Sequence, residues 1–154
     1  MDQSIADRLL KEQITILDAA SGVLRESYQR VGDIFQKNKT DISIAEKESC
    51  EALTARFARL CDFLFQRAFR TLDQIELLDE GTGLDRLNRV EKRGIISSAV
   101  LWKNLRELRN DIAHEYLIEQ ADRVLKEAYQ HAPDLFKAVD SFKNYVKIKG
   151  LIKL

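Results

Sequence analysis

The strongest apolar periodicity in the chain lies in CEALTARFARLCDFLFQRAFRTLDQIELL, residues 50–78. Apolar side chains recur there at steps of three and four residues, the spacing that places them on one face of an α-helix. They are Cys50, Leu53, Phe57, Leu60, Leu64, Ala68, Leu72, Ile75 and Leu78. Phe63, Phe65 and Phe69 widen this face. The stretch predicts a helix over about residues 45–79 that contacts neighbours on more than one side.

Helical patterns also lie on both sides of this stretch. A second long helix is predicted over residues 4–37, and Thr40 or Ser43 is placed to cap the helix that follows. The loop EGTG, residues 80–83, precedes a short helix that ends near Gly94.

The later part of the chain predicts shorter helices. Ser97 or Ser98 can cap the helix that carries Leu101, Leu105, Leu108 and Ile112. Another helix is expected over residues 118–130, and Pro133 suits the first turn of a final one, which leaves His131 in a loop or cap. No segment alternates with period two for long enough to form a strand. The sequence therefore predicts an all-α, up-and-down helical bundle with two long helices plus shorter ones.

Composition favours one globular domain over residues 1–154. Apolar residues make up 45% of the 154 residues and charged residues 32%, which is typical of a folded chain. No apolar run approaches the roughly 18 residues needed to span a bilayer. The N-terminal MDQSIADRLLKEQ lacks the apolar block of a signal peptide. We expect a cytoplasmic protein without a membrane partner.

Cysteine and histidine are too few and too dispersed to predict a metal site. Cys50 and Cys61 lie eleven residues apart in a helical pattern, and His114 and His131 follow far along the chain. Zinc ligands occur at shorter, regular spacings. We expect two buried thiols, no metal and no cofactor.

The net charge of zero argues against a generally basic nucleic-acid binder. However, two segments of the chain carry a local excess of positive charge. Residues 85–109 hold seven basic residues and three acids, and residues 143–153 hold four lysines and no acid. Such clusters can neutralise phosphates, although many are simply solvated helix faces.

A polar strip is predicted on the helix that contains LRELRNDIAHEYL, residues 105–117. At about 100° per residue, Asn110 and His114 lie one turn apart, and Lys103 and Arg106 flank them. Arg109 lies where this strip meets the apolar face. Trp102 is nearby and could stack on a base, although packing or a dimer contact is favoured.

These residue types suit cleavage of RNA without a metal. The reaction needs a base for the ribose 2′-hydroxyl, an acid for the leaving 5′-oxygen and positive charge near the phosphate. Histidine can act as acid or base, and arginine binds phosphate oxygens. One chain supplies one such histidine, so a catalytic site would require a homodimer. Alternatively, His114 only stabilises a helix end, and its neighbours are solvated surface.

The string from Arg109 to Tyr116, RNDIAHEY, resembles the Arg-x₄-His-x-Tyr motif of HEPN-domain toxins of the HepT type. The partners of those toxins are minimal nucleotidyltransferase antitoxins. The resemblance implies a helical bundle that dimerises with its two motifs facing each other. It implies a metal-independent endoribonuclease with Arg109 and His114 as the active-site pair and Asn110 in support.

The resemblance also assigns a role to Tyr116, to which the partner nucleotidyltransferase of such toxins can transfer AMP. A bulky anion beside a phosphate-binding cleft would exclude RNA. The substrate would be tRNA or mRNA, with Lys103 and Arg106 as RNA-binding residues. Two alternatives remain: a non-catalytic nucleotide- or substrate-binding subunit of a minimal nucleotidyltransferase, and a structural bundle in which the motif arises by chance.

Overall fold

A computed structural model describes residues 1–37, 40–114 and 118–153. These residues form helices joined by short connections and contain no β-strand, which confirms the predicted all-α bundle. The helices are α1 (Gln3–Gln36), α2 (Ile44–Phe63), a π-helical segment (Leu64–Phe69), α3 (Arg70–Ile75), α4 (Gly83–Lys92), α5 (Ala99–Ala113) and α6 (Ile118–Ile148). None of the described helices is long and apolar enough to span a membrane.

The first long helix runs antiparallel to the second. Gln13 donates a hydrogen bond of 2.8 Å to Thr71, and Arg56 donates one of 2.8 Å to Ser27. Residue numbers thus rise on α1 as they fall along α2 and α3. The connection between α1 and α2 is short, and Ser43 caps α2 in a capping box with Glu46. The predicted cap at Ser43 is confirmed.

Helix α6 also runs antiparallel to α1. Lys143 bonds to Asp18 at 2.7 Å, whereas Tyr129 stacks on Tyr28 with ring centroids 4.6 Å apart. Helix α5 runs antiparallel to α2 and its continuation, because Trp102 contacts Phe69 whereas Arg109 contacts Asp62. The helices α1, α2, α5 and α6 thus alternate in direction, as in an up-and-down bundle.

The helix predicted over residues 45–79 is confirmed as far as Ile75, but it is not uniform. The segment Leu64–Phe69 is π-helical, and α-helix resumes at Arg70. Phe65, Ala68 and Phe69 in this segment are buried. A π-helical turn contains more residues than an α-helical turn, so it changes which side chains face each neighbour.

The predicted break before Pro133 is wrong. Helix α6 continues through Pro133, and His131 lies inside the helix with Nδ1 3.0 Å from Asp134, not in a loop or cap. Proline removes one helical hydrogen bond. Buried apolar residues before and after Pro133 keep α6 packed against the bundle, and this packing outweighs the lost bond: Val124, Ala128, Ala132, Leu135, Val139, Phe142 and Val146.

The core confirms two interpretations made from the sequence. Cys50 and Cys61 are free, buried thiols. Trp102 is buried with its ring edge-on to Phe69, at 5.2 Å between centroids, so it packs in the core and offers no face to a base.

Three arginines of the basic 85–109 region converge on one buried carboxylate. Asp73 is fully buried, and its oxygens lie 2.8 Å from Nη2 of Arg89 and 2.8 Å from Nη2 of Arg93. Arg86 approaches it at 3.6 Å. A buried carboxylate needs such partners because charge is costly to remove from water. Much of this basic region therefore joins α4 to α3 instead of facing solvent.

Helices α3, α4 and α6 end with the same hydrogen-bond pattern, but the residue that adopts the left-handed conformation differs among them. The residue two beyond each last helical residue has a positive φ: Gly94 after α4, Gly150 after α6, and Leu77 after α3 with φ of 59°. In each case the following N–H reaches back five residues, as Leu78 does to Asp73 at 2.7 Å. Only glycine adopts this conformation without strain.

We expect Asp73→Asn to destabilise the fold by about 3–5 kcal/mol, because it leaves arginines in a buried site without their carboxylate. The matched control is Asp18→Asn, which removes an exposed pair with Lys143 and should cost less than about 1 kcal/mol. Urea unfolding followed by circular dichroism measures both. Equal free energies of unfolding for the two variants would contradict the structural role of Asp73.

We expect Leu77→Gly to stabilise the chain by roughly 0.5–1 kcal/mol, because the strain relieved exceeds the entropy that glycine adds to the unfolded state. The leucine side chain is 81% exposed, so little burial is lost. Gly94→Ala should have the opposite effect, since Gly94 has φ of 77° at the equivalent position and space for a methyl group. Thermal melts of the two variants should move apart. A lower melting temperature for Leu77→Gly would contradict this account.

Candidate active site

The candidate site lies between α5 and the end of α2, where the π-helical segment begins. Ser98 caps α5 by accepting a hydrogen bond from the N–H of Leu101 at 3.1 Å, as predicted. Trp102 then contacts Phe69, and Arg109 contacts Asp62 farther along α5. These contacts set the antiparallel register of α5 on α2, and they direct the basic side of α5 towards a carboxylate on α2.

Arg109 is paired with Asp62. Its Nε donates a hydrogen bond of 2.7 Å to Oδ1 of Asp62, and both side chains are part-exposed, at 31% and 41%. The hydrogen bond to Asp62 raises the pKa of Arg109, so the guanidinium remains charged. Among the described residues no other hydrogen bond involves this guanidinium, so Nη1 and Nη2 remain available to an anionic ligand.

Arg106 is held differently. Its guanidinium lies 3.5 Å from the centre of the Phe65 ring, a cation–π contact, and partial burial lowers the pKa of the side chain. Lys103, the other predicted RNA-binding residue, is exposed on α5. The structure therefore places Arg106 against the body of the protein and Lys103 in solvent.

A cavity of about 260 Å³ brings several of these side chains together. It is lined by Cys61, Asp62, Gln66, Arg106, Arg109 and Asn110. Burial raises the pKa of the Cys61 thiol to about 12, so this sulfur is protonated at neutral pH and is not a nucleophile. The polar groups that face the cavity are two guanidiniums, one carboxylate and two amides.

His114 lies at the end of α5, apart from this cavity. Its backbone N–H bonds to the carbonyl of Asn110 at 3.0 Å, and its side chain is exposed. Five residues of helix turn through about 500°, so His114 projects some 140° around α5 from Arg109. Asn110 projects about 40° from His114 and about 100° from Arg109 around the helix. Tyr116, the predicted modification site, lies outside the described residues.

Sequence reasoning did not identify Asp62 or Gln66. Both lie on the long helical run through α2, at least forty residues before Arg109, and no local spacing connects them with the motif. The only signal was their position opposite the apolar stripe of α2. Asp62 is the more consequential omission, because it contacts the motif arginine directly.

Comparison with protein-family models and with curated protein sequences gives no match. Within residues 1–37, 40–114 and 118–153, no group of three or more His, Cys, Asp or Glu side chains is arranged to hold a metal ion. The candidate site therefore has to be judged by its own chemistry.

We expect Arg109→Ala and Asp62→Asn each to change the free energy of unfolding by less than about 1 kcal/mol, because the pair is part-exposed and screened by solvent. Urea unfolding measures the free energy of unfolding of both variants, and the Asp73→Asn variant measured in parallel shows what the loss of a structural charge costs. A loss of several kcal/mol in Arg109→Ala would show that this arginine is primarily structural, and any accompanying loss of activity would then be uninformative.

Proposed function

We propose that this chain is a metal-independent endoribonuclease of the HEPN type, the toxin of a two-protein toxin–antitoxin module, acting as a homodimer. The observation that carries the proposal is the Arg109 guanidinium, which Asp62 holds by Nε at 2.7 Å at the edge of a polar cavity. A stability role does not require a charged arginine there, since part-exposed pairs contribute little.

The proposed reaction is an internal transesterification of RNA. The ribose 2′-oxygen forms a bond to phosphorus and loses its proton to one imidazole, while the bond from phosphorus to the 5′-oxygen breaks and that oxygen takes a proton. The products are a 2′,3′-cyclic phosphate and a 5′-hydroxyl. Arg109 stabilises the charge that develops on the phosphate oxygens, and Asn110 donates a further hydrogen bond.

A second copy completes this site in the proposal. In one chain, His114 projects well away from Arg109 around α5, and each chain has a single motif histidine. Two copies related by a two-fold axis would bring two histidines and two arginines to one cleft, so that one imidazole acts as base and the other as acid. The partner nucleotidyltransferase would silence the dimer by transferring AMP from ATP to the hydroxyl oxygen of Tyr116, with pyrophosphate as the leaving group.

The test is cleavage of total cellular RNA by the purified chain in the presence of EDTA. We expect His114→Ala and Arg109→Ala each to reduce the rate by at least about a hundredfold. His131→Ala is the matched control, because it removes the other histidine of the chain, which pairs with Asp134 on α6. Intact mass on each sample excludes AMP on Tyr116, and Tyr116→Phe provides a form that cannot be modified there.

The outcomes separate the alternatives. Cleavage that is lost in the two motif variants and retained in His131→Ala supports the nuclease, provided that circular dichroism shows unchanged folding and sedimentation shows unchanged association. If unmodified, dimeric wild-type chain leaves every RNA intact, the nuclease proposal fails and the nucleotide- or substrate-binding subunit becomes the better account. Equal cleavage by all variants would indicate a contaminating nuclease.

A further inference from the structure

A second concavity lies near the opposite end of α5 from His114. It has a volume of about 490 Å³, and its walls come from the loop after α3 and the last turns of α4 and α6. Gly94, which lines it, lies five residues before α5 begins, and the 15 residues of α5 span about 22 Å. This α4–α6 groove is therefore separate from the candidate active site.

The rim of the α4–α6 groove carries large apolar side chains in solvent. Leu78 is 46% exposed and Ile148 is 72% exposed, and both line the groove. Leu77 comes directly before Leu78 and is 81% exposed, but it does not itself line the groove. Single exposed apolar residues are ordinary on protein surfaces, but apolar side chains grouped around a concavity are typical of an interaction site.

The backbone at Leu77 adopts a left-handed conformation, with φ of 59°. The chain places glycine at the equivalent left-handed position after α4 and after α6, but leucine after α3. Leucine is strained there and gains almost no burial. Its side chain does nothing for the helix end that glycine would not do better. Strain of this kind is retained where the side chain has another use.

Four of the residues that line the α4–α6 groove are basic, and one, Glu76, is acidic. Arg89 and Arg93 line it, but both are bonded to carboxylates of Asp73 or Glu76. Lys92 and Lys149 also line it, and neither forms an ion pair with any described residue. The Lys149 Nζ lies 5.8 Å from the centre of the Tyr145 ring, a weak cation–π contact. The groove therefore combines an apolar rim with two ammonium groups that have no carboxylate partner among the described residues.

We infer that the α4–α6 groove is a docking site for an acidic peptide segment of another protein, one with an apolar anchor residue flanked by carboxylates. The apolar anchor packs against Leu78 and Ile148 inside the groove, with Leu77 beside its entrance next to Leu78, and the carboxylates lie beside Lys92 and Lys149. A phosphate backbone or a small inorganic anion would leave the leucine and isoleucine side chains without a partner. The inference does not depend on the proposed nuclease.

The test is selection of peptides from a random 12-residue library on the full-length chain. We expect the selected peptides to combine an apolar residue with Asp or Glu. Ile148→Ser and Lys149→Glu should each weaken their binding about tenfold, the loss expected for one apolar anchor or one charge contact. Val100→Ser is the matched control, because Val100 is 69% exposed on α5 and does not line the groove. Leu77→Gly should raise the melting temperature and yet weaken binding.

Other results would overturn the inference. Selected peptides that lack acidic residues, or that bind Ile148→Ser as well as wild type, would place docking elsewhere. Pyrophosphate that displaces the peptides stoichiometrically would indicate a small-anion site. Sedimentation that shows a dimer dissociated by Ile148→Ser would identify the occupant as a second copy. Ile148→Ser should leave any RNA cleavage unchanged, because Ile148 does not line the candidate active site. A loss of peptide binding in this variant can therefore be distinguished from a failure of the nuclease proposal.

Discussion

The buried carboxylate of Asp73 is the interaction on which the later half of the bundle depends. Asp73 has no exposure to solvent, and it therefore requires the arginines that α4 brings to it. That requirement fixes α4 against α3, and the short connection after Gly94 then sets where α5 begins. The position of Arg109 against Asp62 follows from this arrangement. Arg86 joins the two regions, since it approaches Asp73 and also lies 5.0 Å from the centre of the Phe65 ring that Arg106 contacts. The buried carboxylate thus contributes to the placement of the candidate active site.

The same contacts change the meaning of the basic sequence between residues 85 and 109. Of its seven basic residues, three approach Asp73, Arg106 lies against Phe65 and Arg109 pairs with Asp62. Lys92 and Lys103 are exposed to solvent. Residues 85–109 therefore offer no broad basic surface for long-range attraction of RNA. Recognition of a phosphate would depend on a few directed donors, in which geometry matters more than total charge.

Local features of the fold were predictable from sequence, and contacts distant in the chain were not. Ser43 and Ser98 cap helices and Gly94 ends one, because caps depend on neighbouring residues alone. The helix break predicted at Pro133 is wrong because packing along α6 outweighs the lost hydrogen bond. The pairing of Asp62 with Arg109 joins residues that no spacing rule connects. Arg109, Asn110 and His114 were identified through the motif, whereas the residues that hold or surround them required coordinates.

The π-helical segment Leu64–Phe69 has a consequence for the phase of the long helical run. In an uninterrupted α-helix, the eleven residues from Asp62 to Asp73 would turn through about 1100°, and the two carboxylates would point in nearly the same direction. The wider π-helical turn between them rotates one carboxylate relative to the other around the helix axis, so that Asp62 contacts α5 while Asp73 contacts α4. The π-helical turn thereby allows one continuous helical run to bind both α4 and α5 through its carboxylates. A deletion of one residue there would misalign the candidate site and the arginine cluster with each other, even though every side chain of both remained present.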